Sequence, residues 1–264
     1  MDGAIHVSGL QIAMMIVSFV FIIAMMVVLL GRYRRDKDLS RTLIWGLVIF
    51  MGTNVFVTGF GLILNKSGWF MALHPLIQML IYSLDLVIGY TLISAIVMHF
   101  FVKKSHSDRT PIIMALGFML MHFFQTAMSL ANFAVMSVAI NKGDTAKFIG
   151  ENVNAEAVQN TIDSIIAMKP MNYLDLIVSI YGDFIVYTVV LIILYRLFTA
   201  RDKKMVFGFY SIAILLFYRL LIGISKYYIS SVVIVILINL VAMSAIGYLG
   251  YKFYKKRFLI RGES

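Results

Sequence analysis

The sequence has no cysteine. Disulfides, thiolate nucleophiles and Cys-ligated zinc or iron–sulfur centres are therefore excluded. Acidic residues are scarce as well, 13 Asp and Glu against 23 Lys and Arg, for a formal net charge of +10. In a soluble chain such a surplus would raise the question of nucleic acid, but no soluble basic domain is present and no nucleic-acid partner is expected. Neither a Walker sequence nor a Rossmann glycine pattern occurs, so the chain has no phosphate cradle and should not hydrolyse ATP itself. His-Glu-x-x-His is also missing, and His6, His74, His99, His106 and His122 form no recognisable ligand set. No metal and no other cofactor is expected. Ser94 and Ser129 lack the glycines of a nucleophile elbow.

What the sequence has in excess is apolar length. Hydrophobic residues fill 61% of 264 positions, and the mean hydropathy is +0.90. A helix needs about 20 apolar residues to cross the hydrocarbon, and seven stretches qualify, near 8–31, 42–64, 76–102, 112–140, 173–198, 206–229 and 231–251. The expected fold is all-α, one integral membrane domain over 1–264 with the lipid bilayer as its constant partner. The first stretch is too long for a signal-peptide h-region, and Asp2 stands where a basic n-region belongs, so it reads as a retained span.

Charge gives the orientation. Arg32, Arg34, Arg35, Lys37, Arg41, Lys103, Lys104, Arg109, Arg196, Arg201, Lys203, Lys204 and the tail Lys252, Lys255, Lys256, Arg257, Arg261 fall on one side. The other side holds Lys66, Lys142, Lys147, Lys169 and Lys226. The positive-inside rule then puts the N-terminus outside and the C-terminus in the cytoplasm. Only Lys226, Tyr227, Tyr228, Ser230 and Ser231 interrupt the last two spans, which predicts a tight outer turn.

The longest connection, 141–172, is polar enough for water. Asn154 can cap a helix whose Val158, Ile162, Ile165 and Ile166 recur at i, i+4, i+7 and i+8, with Glu156, Gln159, Asn160 and Asp163 opposite and Pro170 ending it. Such an amphipathic helix lies on the membrane surface or over the mouth of the bundle.

Charges at membrane depth cost about 2.5–3.5 kcal/mol each on insertion scales, so they face inward and find partners. Asp183 and Arg219 each lie about ten residues from the outer ends of neighbouring spans, hence roughly 15 Å deep, and Asp85 sits at a similar level. A cluster of the three is expected, as a register-fixing ion pair or as a proton, ion or substrate site. In the fourth span His122, Gln125, Ser129 and Asn132 follow i, i+3, i+7 and i+10 and share a face. They supply interhelical hydrogen bonds or line a cavity facing Asp85 and Asp183.

The order of features resembles the YhfC-like bacterial membrane proteins, relatives of the CAAX-type intramembrane proteases. The resemblance rests on Gly31-Arg32-Tyr33-Arg34-Arg35 closing the first span, Gly89-Tyr90-Thr91 in the third and Ala115-Leu116-Gly117-Phe118 entering the fourth, together with the long outer loop. It implies a bacterial cytoplasmic membrane location and, for active members, a glutamate pair on the third span and a His and Glu segment on the next. Here the acidic residues within the spans are Asp85, Asp175 and Asp183, with no glutamate, so hydrolysis lacks its general base. The expected role is a non-catalytic recognition subunit for a peptide or lipid ligand, beside other membrane subunits or an ATPase of a transport or immunity complex. Asp85, His122, Gln125, Asn132, Asp183 and Arg219 would line its binding cavity. An ion-coupled permease and a protease working with aspartates are the alternatives.

Overall fold

The computed structural model describes residues 6–102, 109–144, 155–199 and 204–258, and these fold as helices. In chain order they are α1 (Gly9–Tyr33), α2 (Leu39–Lys66), the single turn α3 (Gly68–Met71), α4 (Pro75–Val97), α5 (Thr110–Asn141), α6 (Ala155–Ala167), α7 (Pro170–Thr199), α8 (Lys204–Tyr228) and α9 (Val232–Phe258). A π-helical turn over Met98–Val102 extends α4. All of them except α3 and α6 are long and apolar enough to cross a membrane, which makes seven among the described residues.

The helix ends follow local chemistry. Ser8 opens α1 with a capping box, its hydroxyl accepting from Gln11 N at 3.2 Å while Gln11 Oε1 accepts from Ser8 N at 3.1 Å. His74 caps α4 through Nδ1, with Pro75 at the first helical position, where no N–H is missed. Gly143, at φ 71°, closes α5. Asp144 N reaches Ala139 O at 2.9 Å and Gly143 N reaches Ile140 O at 3.0 Å, a Schellman arrangement that consumes the last carbonyls. Between α8 and α9 only residues 229–231 intervene, the expected tight turn.

The bundle is apolar on the outside, with Val28, Val55, Ile63, Phe217 and Val241 all exposed, as lipid-facing spans require. Its centre is α5 against α7. Within their most apolar stretches 50% and 61% of residues are buried, compared with 17% in α1. Around this axis α1 and α2 pack on α5, α8 and α9 pack on α7, and α4 bridges α2 to α8. The helices can approach closely where glycines face each other. A Cβ added at Gly46 would run into Met114 O and the Gly117 backbone, and one at Gly117 would run into Leu43 O, so α2 and α5 touch backbone to backbone.

Two sequence expectations are refined, while α2 runs unbroken from Leu39 to Lys66. Pro170 does not end α6, which stops at Ala167; it opens α7 instead, the position at which proline is best tolerated. The apolar face of α6 is not left to lipid. Val158, Ile162 and Ile165 are buried in the protein core, and Gln11 Nε2 donates to Ile165 O at 3.2 Å and to Met168 O, tying the helix over the start of α1. The expected cap Asn154, with His106, Lys103, Lys104, Lys147, Arg201, Lys203 and Arg261, lies outside the described residues.

The glycine contact between α2 and α5 is directly testable. Gly117→Ala is expected to cost about 1–3 kcal/mol by overpacking, lowering the unfolding temperature in detergent. Gly59→Ala, which meets open space, should leave that temperature within about 0.5 kcal/mol equivalent of the parent. Equal effects would refute the close approach.

Candidate functional site

On α7, polar side chains recur every fourth residue: Asp175, Ser179, Asp183 and Tyr187. Four residues are just over one turn, so they form a gently winding stripe from the start of the helix to its middle. Helices α8 and α9 present the complement. Lys226 Nζ donates to Asp175 Oδ2 at 2.7 Å and to Ser179 Oγ at 3.4 Å. Asn239 Nδ2 also donates to Ser179 Oγ, at 3.3 Å, while its Oδ1 accepts from Tyr218 OH at 2.9 Å. One turn deeper, Arg219 Nη2 donates to Asp183 Oδ2 at 3.4 Å and to Tyr187 OH at 2.6 Å.

Two ion pairs thus descend one helix interface, each cation matched by a carboxylate. The upper pair is tight. The lower pair, at 3.4 Å, exceeds the roughly 2.7–2.9 Å of a charge-assisted bond. Its guanidinium lies 5.5 Å from the Tyr187 ring centroid, so an aromatic face takes up part of the attraction. Tyr187 in turn packs at a tilt against Tyr90 at 4.5 Å and Phe118 at 4.7 Å, an aromatic floor beneath the charges. Space for the network comes from Gly182. A Cβ there would strike Tyr218 OH and lie 2.9 Å from Asn239 Oδ1.

The network walls a cavity of about 550 Å³ between α4, α7 and α8, within the range of small-molecule sites. Pro75, Gln78, Lys226 and Ser179 line its upper part and Asp183, Arg219 and Tyr218 its lower part; Met79, Tyr82, Ser83, Leu86, Ile222 and Gly223 complete it. A second cavity of about 240 Å³ adjoins it under Met168 and shares Ser179 and Lys226. Both lie toward the face where α1 begins. Asp183 and Arg219 keep 24% and 28% of their side-chain surface accessible, so the lower pair can be reached from the larger cavity.

Of the residues singled out in the sequence, Asp183 and Arg219 come together. Asp85 does not join them. The cavity face of α4 is carried by Met79, Tyr82, Ser83 and Leu86, whereas Asp85 is 4% exposed and shares a face with Gly89, which abuts Phe56 of α2. Its buried Oδ2 has no hydrogen-bond partner among the described residues. His122 stands behind the aromatic floor, edge-on to Phe50 at 5.0 Å, and lines neither cavity. Gln125 and Asn132 are exposed on α5 and line neither cavity; of that stripe only Ser129 does, in the smaller one. No three His, Cys, Asp or Glu side chains among the described residues are placed to hold a metal ion.

Sequence reasoning passed over Ser179, Tyr187, Tyr218 and Asn239. The four-residue period of the α7 stripe was the available signal for the first two. Nothing in the sequence marks Asn239 except that it is a lone amide in an apolar span.

Two substitutions probe the network. Tyr218→Phe removes one interhelical hydrogen bond and is expected to cost about 0.6 kcal/mol. Gly182→Ala pushes α7 away from both Tyr218 and Asn239 and should cost more, about 1–3 kcal/mol. Thermal unfolding in detergent gives the order, and the reverse order would contradict the packing at Gly182. Comparisons with protein families, with curated proteins and with solved structures return no match for the chain.

Proposed function

We propose that this chain is a multi-pass protein of a bacterial cytoplasmic membrane that recognises a small polar ligand in the cavity between α4, α7 and α8. The observation that carries the reading is the loose Asp183–Arg219 pair on the wall of a 550 Å³ space. A pair that served only to fix helix register would be expected to be closed and dry. This one retains accessible surface on both partners, and its one contact is long. Binding energy is available where such groups are left short of partners.

The orientation belongs to the same proposal. With the basic connections in the cytoplasm, Pro75, Gln78 and Lys226 stand at the outer surface and the cavity admits its ligand from outside. Recognition without hydrolysis is supported by the lack of glutamate in α4 and α5, where active members of the YhfC-like family that the sequence resembles would be expected to carry it. The chain would act as the recognition subunit of a transport or immunity complex, and any ATPase activity would come from a partner, because no phosphate cradle is present here.

The absence of native cysteine makes the test clean. Ser83→Cys places one thiol on the cavity wall. A small, membrane-impermeant methanethiosulfonate reagent added to intact cells should modify it, and a low-molecular-weight cell extract should slow that modification in the purified protein. Arg219→Gln in the same background should remove the protection. A thiol that is unreactive from outside would overturn the orientation, and modification indifferent to extract would overturn recognition.

A further inference from the structure

The charges around the cavity sum to zero. Asp175 cancels Lys226 and Asp183 cancels Arg219, and each pair is in contact. The lower pair has the most hydrogen-bonding capacity to spare among the described residues, since Asp175 accepts from both Lys226 and Ser179. Lys226 is committed at 2.7 Å to Asp175 and also reaches Ser179. Asp183, an acceptor with roughly four lone-pair sites, makes a single hydrogen bond among the described residues, the 3.4 Å contact. Arg219 directs both of its described bonds through Nη2, although a guanidinium has five donors in a fork that matches a carboxylate.

An under-used carboxylate and an under-used guanidinium therefore stand side by side at the bottom of a mostly apolar pit. The ligand chemistry that suits them is an ammonium and a carboxylate on one small molecule. A simple carboxylate at Arg219 would face the Asp183 charge without compensation, and a simple amine at Asp183 would face Arg219. A zwitterion satisfies both at once and leaves the membrane interior neutral, which matters where an uncompensated charge is costly. Beside the pair, Leu86 and Ile222 offer an apolar wall for a side chain, and above them Met79 is seated on the backbone of Gly223.

From this geometry we infer that the cavity takes a small zwitterion of the α-amino-acid class, its carboxylate on Arg219 and its ammonium on Asp183. The inference rests on the recognition reading above and narrows it to one ligand class.

The Ser83→Cys protein provides the assay. Each of the common free amino acids is offered during thiol modification, and the best protector is compared with its deaminated acid and its decarboxylated amine. At least one amino acid should slow modification, and both analogues should need at least tenfold higher concentration. In Asp183→Asn the advantage over the deaminated acid should disappear; in Arg219→Gln the advantage over the amine should disappear. An acid or amine protecting as well as the amino acid overturns the inference, and this comparison stands even if neither variant folds. Protection by cell extract with none from any amino acid overturns the ligand class while leaving recognition intact. No protection by either overturns both.

Discussion

The structure depends on charge matching across the contact of α7 with α8. Two cations and two carboxylates lie along one helix interface, one pair near its outer end and one deeper, where a lone charge would be expensive in hydrocarbon. Because Asp175 meets Lys226 and Asp183 meets Arg219, α7 and α8 are held in a single register. Slipping one helix by a residue would pull both pairs apart and leave the deeper two charges without partners. Asn239 adds α9 to the same register through Tyr218 and Ser179. Gly182 is what lets those three helices come close enough for the bonds to form.

That register also creates the cavity. Arg219 cannot sink further, because Tyr187 OH holds its Nη2 and the Tyr187 ring lies on Tyr90 and Phe118. The guanidinium stays on the cavity wall, which Ser83 and Leu86 of α4 also line. On the other side of the bundle α2 and α5 meet backbone to backbone at Gly46 and Gly117. The two halves are thus built on opposite principles, backbone contact in one and paired polar side chains around a hollow in the other.

Much of the fold is legible in the sequence because span length and loop charge are summed properties that need no partner. The seven helices, the short turn near Ser230 and the amphipathic α6 all follow from run length and periodicity. The site is less legible. Depth along a helix is countable, and it placed Asp183 level with Arg219 correctly. Direction around a helix is set by the neighbours, so Asp85, at a suitable depth, is buried off the cavity face of α4, on the side that carries Gly89. The His122, Gln125, Ser129 and Asn132 stripe has the same weakness: its spacing puts the four residues on one face but does not say which neighbour that face meets. Tyr187 and Tyr218 look like bulk in a sequence, and only contact reveals that their hydroxyls are the working part. Pro170 is equally ambiguous in one dimension, since proline can follow one helix or open the next.

The most direct test is charge exchange at the lower pair, read as the yield of monodisperse folded protein after purification. Asp183→Arg and Arg219→Asp alone should each lose most of it, since either leaves two like charges in contact inside the bundle. Combined in one chain they should recover a substantial part, with the remainder lost because an aspartate at position 219 cannot donate to Tyr187. A double exchange as damaging as the single reversals would contradict the pairing on which the register, the cavity and its ligand all rest.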